Sequence, residues 1–120
     1  MNKKGRKISG GKYKKQRKKK SYEITGQKRT VKLSEDKRKS KRILGGRKKN
    51  FMVGAKTINV LVNGKIQKAE IKNVLETPSN RFLARQNIIT KGTILSTTLG
   101  KVKVTNRPSQ ESVINGILIE

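Results

Sequence analysis

The sequence predicts a mainly β protein: a small twisted β-barrel-like domain with one short helix, preceded by a long basic N-terminal extension that lacks its own core. Three observations carry this reading. Residues 1–50 hold twenty-two Lys and Arg against three acids and nine apolar residues, whereas residues 51–120 hold ten basic side chains, four acids and twenty-eight apolar residues. An Asn-Gly pair at 63–64 separates two segments with strand character, and a Leu-Gly pair at 99–100 separates two more. The first observation divides the chain into an extension over 1–50 and a β domain over 51–120.

A net charge of +25 on 120 residues points to a polyanionic partner. A core drawn from about seventy residues is near the lower limit for independent folding, so stability is expected to depend partly on that partner. With neither cysteine nor histidine, the chain can form no disulfide and no Cys/His zinc site, and it lacks the commonest general base. This suits an intracellular protein. The longest apolar runs, such as Val60-Leu61-Val62 and Ile117-Leu118-Ile119, are far too short to span a bilayer, so no membrane contact is expected.

From Lys3 to Lys20 cations alternate with glycine without any helical or strand rhythm, and this stretch is expected to be disordered when free. Gly5, Gly10 and Gly11 serve either as flexible spacers or as points where the backbone approaches another surface closely. The run Gln16–Lys20 has the composition of a nuclear import signal as well as of a nucleic-acid patch. Such a signal needs only about five to eight residues, whereas basic clusters here recur as far as Lys49, which favours contact along a path. A polybasic membrane anchor would need a lipidation site or an amphipathic face, and neither is seen. Tyr13 and Tyr22 can stack on unpaired bases or cover a sugar. Thr25-Gly26 and Gly45-Gly46 punctuate the segment, and Ser34–Lys41 is compatible with a short exposed helix that has no apolar stripe.

In the second half, Ile58–Val62, Asn63-Gly64 and Lys65–Leu75 form the strongest local signal, because Asn-Gly supplies both positive-φ residues of a tight hairpin turn. Ala69 and Ile71 alternate with Lys68, Glu70 and Lys72, as on a strand with one face inward. A second hairpin is expected from Thr93–Thr98 through Leu99-Gly100 to Lys101–Thr105, and a last strand over Val113–Ile119. Between the hairpins, Asn80–Gln86 reads as a short helix that sets Arg81 and Arg85 on one face. The two cations suit a phosphate, although a solvated face has the same composition. Short strands separated by Gly, Asn and Pro turns then favour a small sheet closing toward a barrel.

Asn87-Ile88-Ile89-Thr90-Lys91-Gly92, followed by Gly100, Val104-Thr105, Arg107-Pro108, Gln110 and Asn115, resembles the C-terminal signature of the archaeal and eukaryotic small-subunit ribosomal protein family S8e. Gly5, Ser9-Gly10-Gly11, Arg17–Lys20, Gly45-Gly46 and Lys48 resemble its N-terminal half in the same order, so the likeness covers nearly the whole chain. The length matches the archaeal form. Members often carry Trp-Gln before the first glycine and Asn after the second glycine pair, where this chain has Lys3-Lys4 and Arg47. Ser109 and Ser112 replace two glycines of the family's usual C-terminal loop, which implies a tighter loop.

The resemblance implies a structural constituent of the small ribosomal subunit, cytoplasmic and ribosome-bound, with 16S-type rRNA and neighbouring small-subunit proteins as partners. It implies no cofactor and no small-molecule substrate. On this reading rRNA is held by Lys3, Lys4, Arg6, Lys7, Lys12, Lys14, Lys15, Arg17, Lys18, Lys19, Lys20, Lys28, Arg29, Arg42, Arg47, Lys48 and Lys49 of the extension, and by Arg81, Arg85, Lys91 and Arg107 of the folded part. Lys acts as a mobile point charge and Arg as a planar fork, positioning the chain on phosphates while RNA shape and 2′-OH groups supply selectivity. Asn87 and Asn115 suit turn closure better than base reading, and Thr90 and Gln110 fit either role. A DNA-binding or chromatin-like architectural protein shares the charge and the small β domain. An enzyme is disfavoured, because Glu70, Glu76, Glu111 and Glu120 show no metal-ligand spacing and nothing positions a base.

Overall fold

A computed structural model describes residues 5–14 and 17–119. In order, its longer elements are β1 (Val31–Leu33), β2 (Lys37–Arg42), β3 (Lys48–Ala55), β4 (Thr57–Val62), β5 (Lys65–Glu76), α1 (Arg81–Arg85), β6 (Ile88–Ile89), β7 (Ile94–Thr97), β8 (Gly100–Val104) and β9 (Asn115–Ile119). Strands β4, β5, β7, β8 and β9 close into a barrel, and the remaining four form a sheet in the order β2-β3-β1-β6. The mainly β, barrel-containing fold with one short helix is thus as expected.

The barrel begins at the Asn-Gly turn. Asn63 and Gly64 both have positive φ, 48° and 77°, and β4 pairs with β5 from Val62↔Lys65 to Thr57↔Glu70. Ile58 and Val60 point inward from β4, Ala69 and Ile71 from β5. Register shifts between Ile71 and Asn73 and between Val74 and Glu76 bend β5 as it passes from β4 to β7. The second hairpin turns one residue earlier than expected: Thr97 pairs with Gly100, leaving Thr98-Leu99 at the turn. The reason lies in Thr97, whose hydroxyl donates to the Gly100 carbonyl at 2.8 Å and accepts the Leu99 N–H at 3.3 Å. Gly100, with φ 124°, therefore opens β8.

Closure comes from β9, which starts at Asn115, two residues later than expected, and runs antiparallel to β8 and parallel to β4. Gly116 makes that closure possible. A Cβ there would press on Val102 and lie 2.9 Å from the Lys103 carbonyl oxygen and 3.1 Å from Ile58 Cδ1.

One apolar cluster serves both layers: Val31 of β1, Met52 and Ala55 of β3 and Ile89 of β6 join Ile58, Val60, Leu95, Val102, Val104 and Ile114. Full burial of each such aliphatic side chain is worth about 1.5–3 kcal/mol. Val31, 1% exposed, ties the middle of the basic half to this core. The expected division at residue 50 falls inside β3, whose outer end is exposed and whose inner end is buried.

The exposed helix expected over Ser34–Lys41 is not formed. Residues 34–36 turn, and Lys37–Arg42 is a strand paired antiparallel with β3. Without an apolar stripe a helix there has no face to bury, whereas the strand gains a hydrogen-bonded partner in β3. The short helix expected near residue 80 is present. Asn80 caps α1 by accepting the Phe82 N–H at 3.0 Å, and Asn87 (φ 53°) follows it in the left-handed region.

Candidate nucleic-acid interface

Of the cations expected to meet phosphate, Lys3, Lys4 and Lys15 lie outside the described residues. In the described extension, Arg6 and Lys12 form an isolated bridge across a turn in which the Gly10 N–H reaches the Lys7 carbonyl at 2.8 Å and the Lys7 N–H reaches the Gly11 carbonyl at 2.9 Å. Gly10 has φ 80°, which a side chain would oppose. The Arg6 guanidinium donates to the Gly10 carbonyl at 3.0 Å, while Lys7, Lys12 and Lys14 are exposed.

A second local structure gathers around Glu23. Arg17 donates to it through both Nη atoms, at 2.6 and 2.8 Å, and the Lys20 backbone N–H adds a third bond at 2.9 Å. The Arg17 guanidinium holds the Glu23 carboxyl below its ordinary value, with help from the Lys20 N–H, and the carboxylate in turn raises Arg17. Lys18, Lys19 and Lys20 thus project from a folded-back segment while Arg17 is partly neutralised.

The extension meets the folded body at Arg29, which lies over the Phe51 ring with 4.0 Å from guanidinium carbon to ring centroid. Lys28, which precedes Arg29 in the chain, is exposed. Strands β2 and β3 project as a two-stranded ribbon, Arg42 opposite Lys48 and Lys41 opposite Lys49. The ribbon turns through Leu44–Gly46, where Gly45 and Gly46 both have φ 76° and the Ile43 N–H reaches the Arg47 carbonyl at 2.8 Å. Lys49 Nζ donates to Gln110 Oε1 at 2.5 Å, which sets the turn headed by exposed Arg107 beside the ribbon. The Arg107 carbonyl itself accepts the Gln110 and Glu111 N–H groups.

Arg81, Arg85 and Lys91 are elsewhere. Helix α1 packs on β5 and β6, and β6 is the edge of the sheet opposite β2. All three side chains are exposed, Arg81 and Arg85 on α1 and Lys91 in the turn after β6. The structure therefore brings Arg29, Arg42, Arg47, Lys48, Lys49 and Arg107 to the β2–β3 end of the sheet and leaves Arg81, Arg85 and Lys91 at its β6 edge. Asn115 is engaged structurally: its N–H donates to Asn106 Oδ1 at 3.0 Å, and its side-chain oxygen accepts from Asn59 at 3.2 Å. Thr90 is likewise held by Thr93, at 3.0 and 3.1 Å.

Lys37, Arg38, Lys39 and Lys41 belong to the basic path expected from the sequence but were not singled out as individual contacts; they stand on the same ribbon, all exposed. The signal that reveals them is Gly45-Gly46 flanked by two basic runs, which has the form of a hairpin.

The family model described as ribosomal protein S8e matches residues 1–119. The chain belongs to this family. Among similar proteins, the small ribosomal subunit protein eS8 of Staphylothermus marinus is 60% identical over 57 residues, covering 48% of this chain and 44% of that protein. The eS8 proteins of Nanoarchaeum equitans and Methanocella arvoryzae are 56% identical over 57 residues and 46% identical over 56, covering 48% and 47% of this chain and 45% of each relative. The matches thus span under half of each of these archaeal S8e proteins. Among the residues that carry the C-terminal resemblance, the turn after β6 meets the end of β8 through the Gly92 N–H to the Val104 carbonyl, and Thr105 meets β9 through its N–H to the Asn115 carbonyl.

Proposed function

We propose that this S8e chain is a structural constituent of the small ribosomal subunit that binds and stabilises small-subunit rRNA, ribosome-bound in the cytoplasm. The observation that carries the reading is the uncompensated cation array. Residues 37–50 hold eight Lys and Arg and no acid, and among the described residues the only ion pairs are Arg17–Glu23 and a long Lys56–Glu70 contact of 3.9 Å. Such an array is stable beside a polyanion. Family membership and the eS8 relatives direct the choice of polyanion to rRNA.

On this proposal residues 1–50 act as the RNA-threading extension and residues 51–120 as the small β domain that lies on RNA, with β3 joining the two. Arg6, Lys7, Lys12, Lys14 and Lys18–Lys20 neutralise backbone phosphates along the path. Arg42, Arg47, Lys48, Lys49 and Arg107, and separately Arg81, Arg85 and Lys91, anchor the folded body at two places. Being on a stiffer scaffold, these give more geometric selectivity than the extension. Neighbouring small-subunit proteins complete the surroundings. An elongated shape fits this role: the radius of gyration is 21.4 Å, against about 14 Å for a compact chain of this length.

The test is sedimentation of cell lysate on a high-magnesium gradient, followed by a moderate salt wash. Co-migration with small subunits that survives the wash is the expected result. A free pool, or one associated with DNA, would replace this reading with an architectural DNA-binding one.

A further inference from the structure

We propose that the β2–β3 ribbon is a two-sided RNA clamp, a wedge that sits between two phosphate backbones and holds two RNA segments together. The inference rests on the rRNA-binding reading and adds to it a specific site and a specific task. Residues directly opposite each other on paired strands share a face. One face of the ribbon therefore carries Arg38, Arg42 and Lys48, and the other carries Lys39, Lys41 and Lys49. At its root the first face continues onto the barrel, because Arg38 and Lys68 line one shallow cleft with Thr57 and Asn59. The second face is braced by Arg29 on Phe51, the residue opposite Lys39.

Two features separate this arrangement from an ordinary solvated hairpin. Arg42 faces Lys48 and Lys41 faces Lys49, and like charges directly opposite one another destabilise a strand pair. Charged side chains that merely keep an exposed strand edge from pairing need no such juxtaposition. No carboxylate of the described residues forms an ion pair with any cation of the ribbon. A single RNA surface would compensate one face and leave the other repelling itself; a backbone on each face compensates both.

The tip suits insertion as well. Leu44 is 97% exposed and Ile43 42%, an apolar point at the end of a cationic blade about 20 Å long. Water or a layer of phosphates gives that point nothing to pack on. The sugar edges and bases between two adjacent RNA segments do.

The test uses the full chain and two unconnected short RNA duplexes, one labelled with a fluorescence donor and one with an acceptor, so that energy transfer reports bridging and anisotropy reports binding to one duplex. One variant neutralises a single face (Arg38→Gln, Arg42→Gln, Lys48→Gln), a second the other (Lys39→Gln, Lys41→Gln, Lys49→Gln), and a third the extension (Lys12→Gln, Lys14→Gln, Lys18→Gln, Lys19→Gln). Circular dichroism melts confirm that each variant is folded. Each ribbon variant is expected to lose several-fold in affinity for one duplex but at least tenfold in bridging at equal occupancy; the extension variant loses affinity and, once saturated, bridges like the natural chain.

Bridging that survives both ribbon variants, or that disappears equally in the extension variant, overturns the clamp. So does a natural chain that binds one duplex and does not bridge. Failure of the natural chain to bind a single duplex at low salt overturns the RNA reading beneath it. If the ribbon variants weaken capture of a polyglutamate probe as much as they weaken duplex bridging, the ribbon's partner is an acidic protein segment and the clamp is likewise overturned.

Discussion

Asp36 and Thr57 are joined by a 2.6 Å hydrogen bond from the threonine hydroxyl to Oδ2, while Oδ1 of the same carboxylate accepts the Lys56 and Thr57 N–H groups at 2.6 and 3.2 Å. One side chain from the β1–β2 turn thereby fixes the corner where the sheet passes into the barrel, and with it the direction of the ribbon. Burial pushes the Asp36 carboxyl up, but the Lys56 N–H, the Thr57 groups and the Arg38 charge together outweigh it and hold the carboxyl below its ordinary value. A lowered folded value means that the stabilisation is complete above the ordinary 3.8 and is lost as pH falls through the folded value. Asp36→Asn is expected to cost about 1 kcal/mol at neutral pH, discounted for the exposure of the site. In thermal melts the natural and variant curves should converge as pH falls through the lowered folded value; curves that stay parallel across the acid limb would show that the ionised carboxylate is not what holds the corner.

Gly116 is the tightest point of barrel closure. Gly116→Ala sets a methyl group against Val102, Ile58 and the Lys103 carbonyl, and β9 must shift from β8 or β4 to admit it. The expected cost is about 1–3 kcal/mol, read as a Tm lowered by about 4–8 °C for each kcal/mol. Gly64→Ala tests turn strain alone, since a Cβ there meets nothing within 4 Å but φ is 77°. It should cost less than the Gly116 change.

Glu23 spends a carboxylate on Arg17 in the middle of a cationic segment. Glu23→Gln removes that competitor and frees Arg17 for a phosphate. RNA affinity at low salt is expected to rise a few-fold, and the slope of log affinity against log salt to steepen by about 0.7–0.9, the contribution of one additional phosphate contact. Affinity titrations at several salt concentrations measure both. Unchanged affinity and slope would mean that Arg17 keeps its intramolecular partner's role even with RNA bound.

Limited trypsin digestion of the free chain should cut first between Lys12 and Arg29, where the described basic residues are exposed and lie outside named strands. Cleavage within β3 should be slower, because its inner residues are buried. In assembled small subunits the same early sites should be protected. Equal cleavage rates in the two states would contradict ordering of this segment on RNA.

The local features of the barrel were legible in the residues, because a turn's stereochemistry is written in the residues that make it. Asn63-Gly64 turns the chain where its positive-φ preference demands, and Asn80 caps a helix whose next residues have no other cap. The expectation of a polyanionic partner came from the residues just as directly, since twenty-two cations in fifty residues meet only three acids. What depended on the assembled chain was every pairing between distant segments. The parallel contacts of β4 with β9 and of β1 with β3 bring together residues more than twenty apart, and no local preference marks them. Lys37–Arg42 shows the point most directly: its residues suit a helix, yet they form a strand because β3 offers hydrogen-bond partners and a helix there would bury nothing. That choice, made by tertiary contact, is what sets two rows of cations back to back on one ribbon.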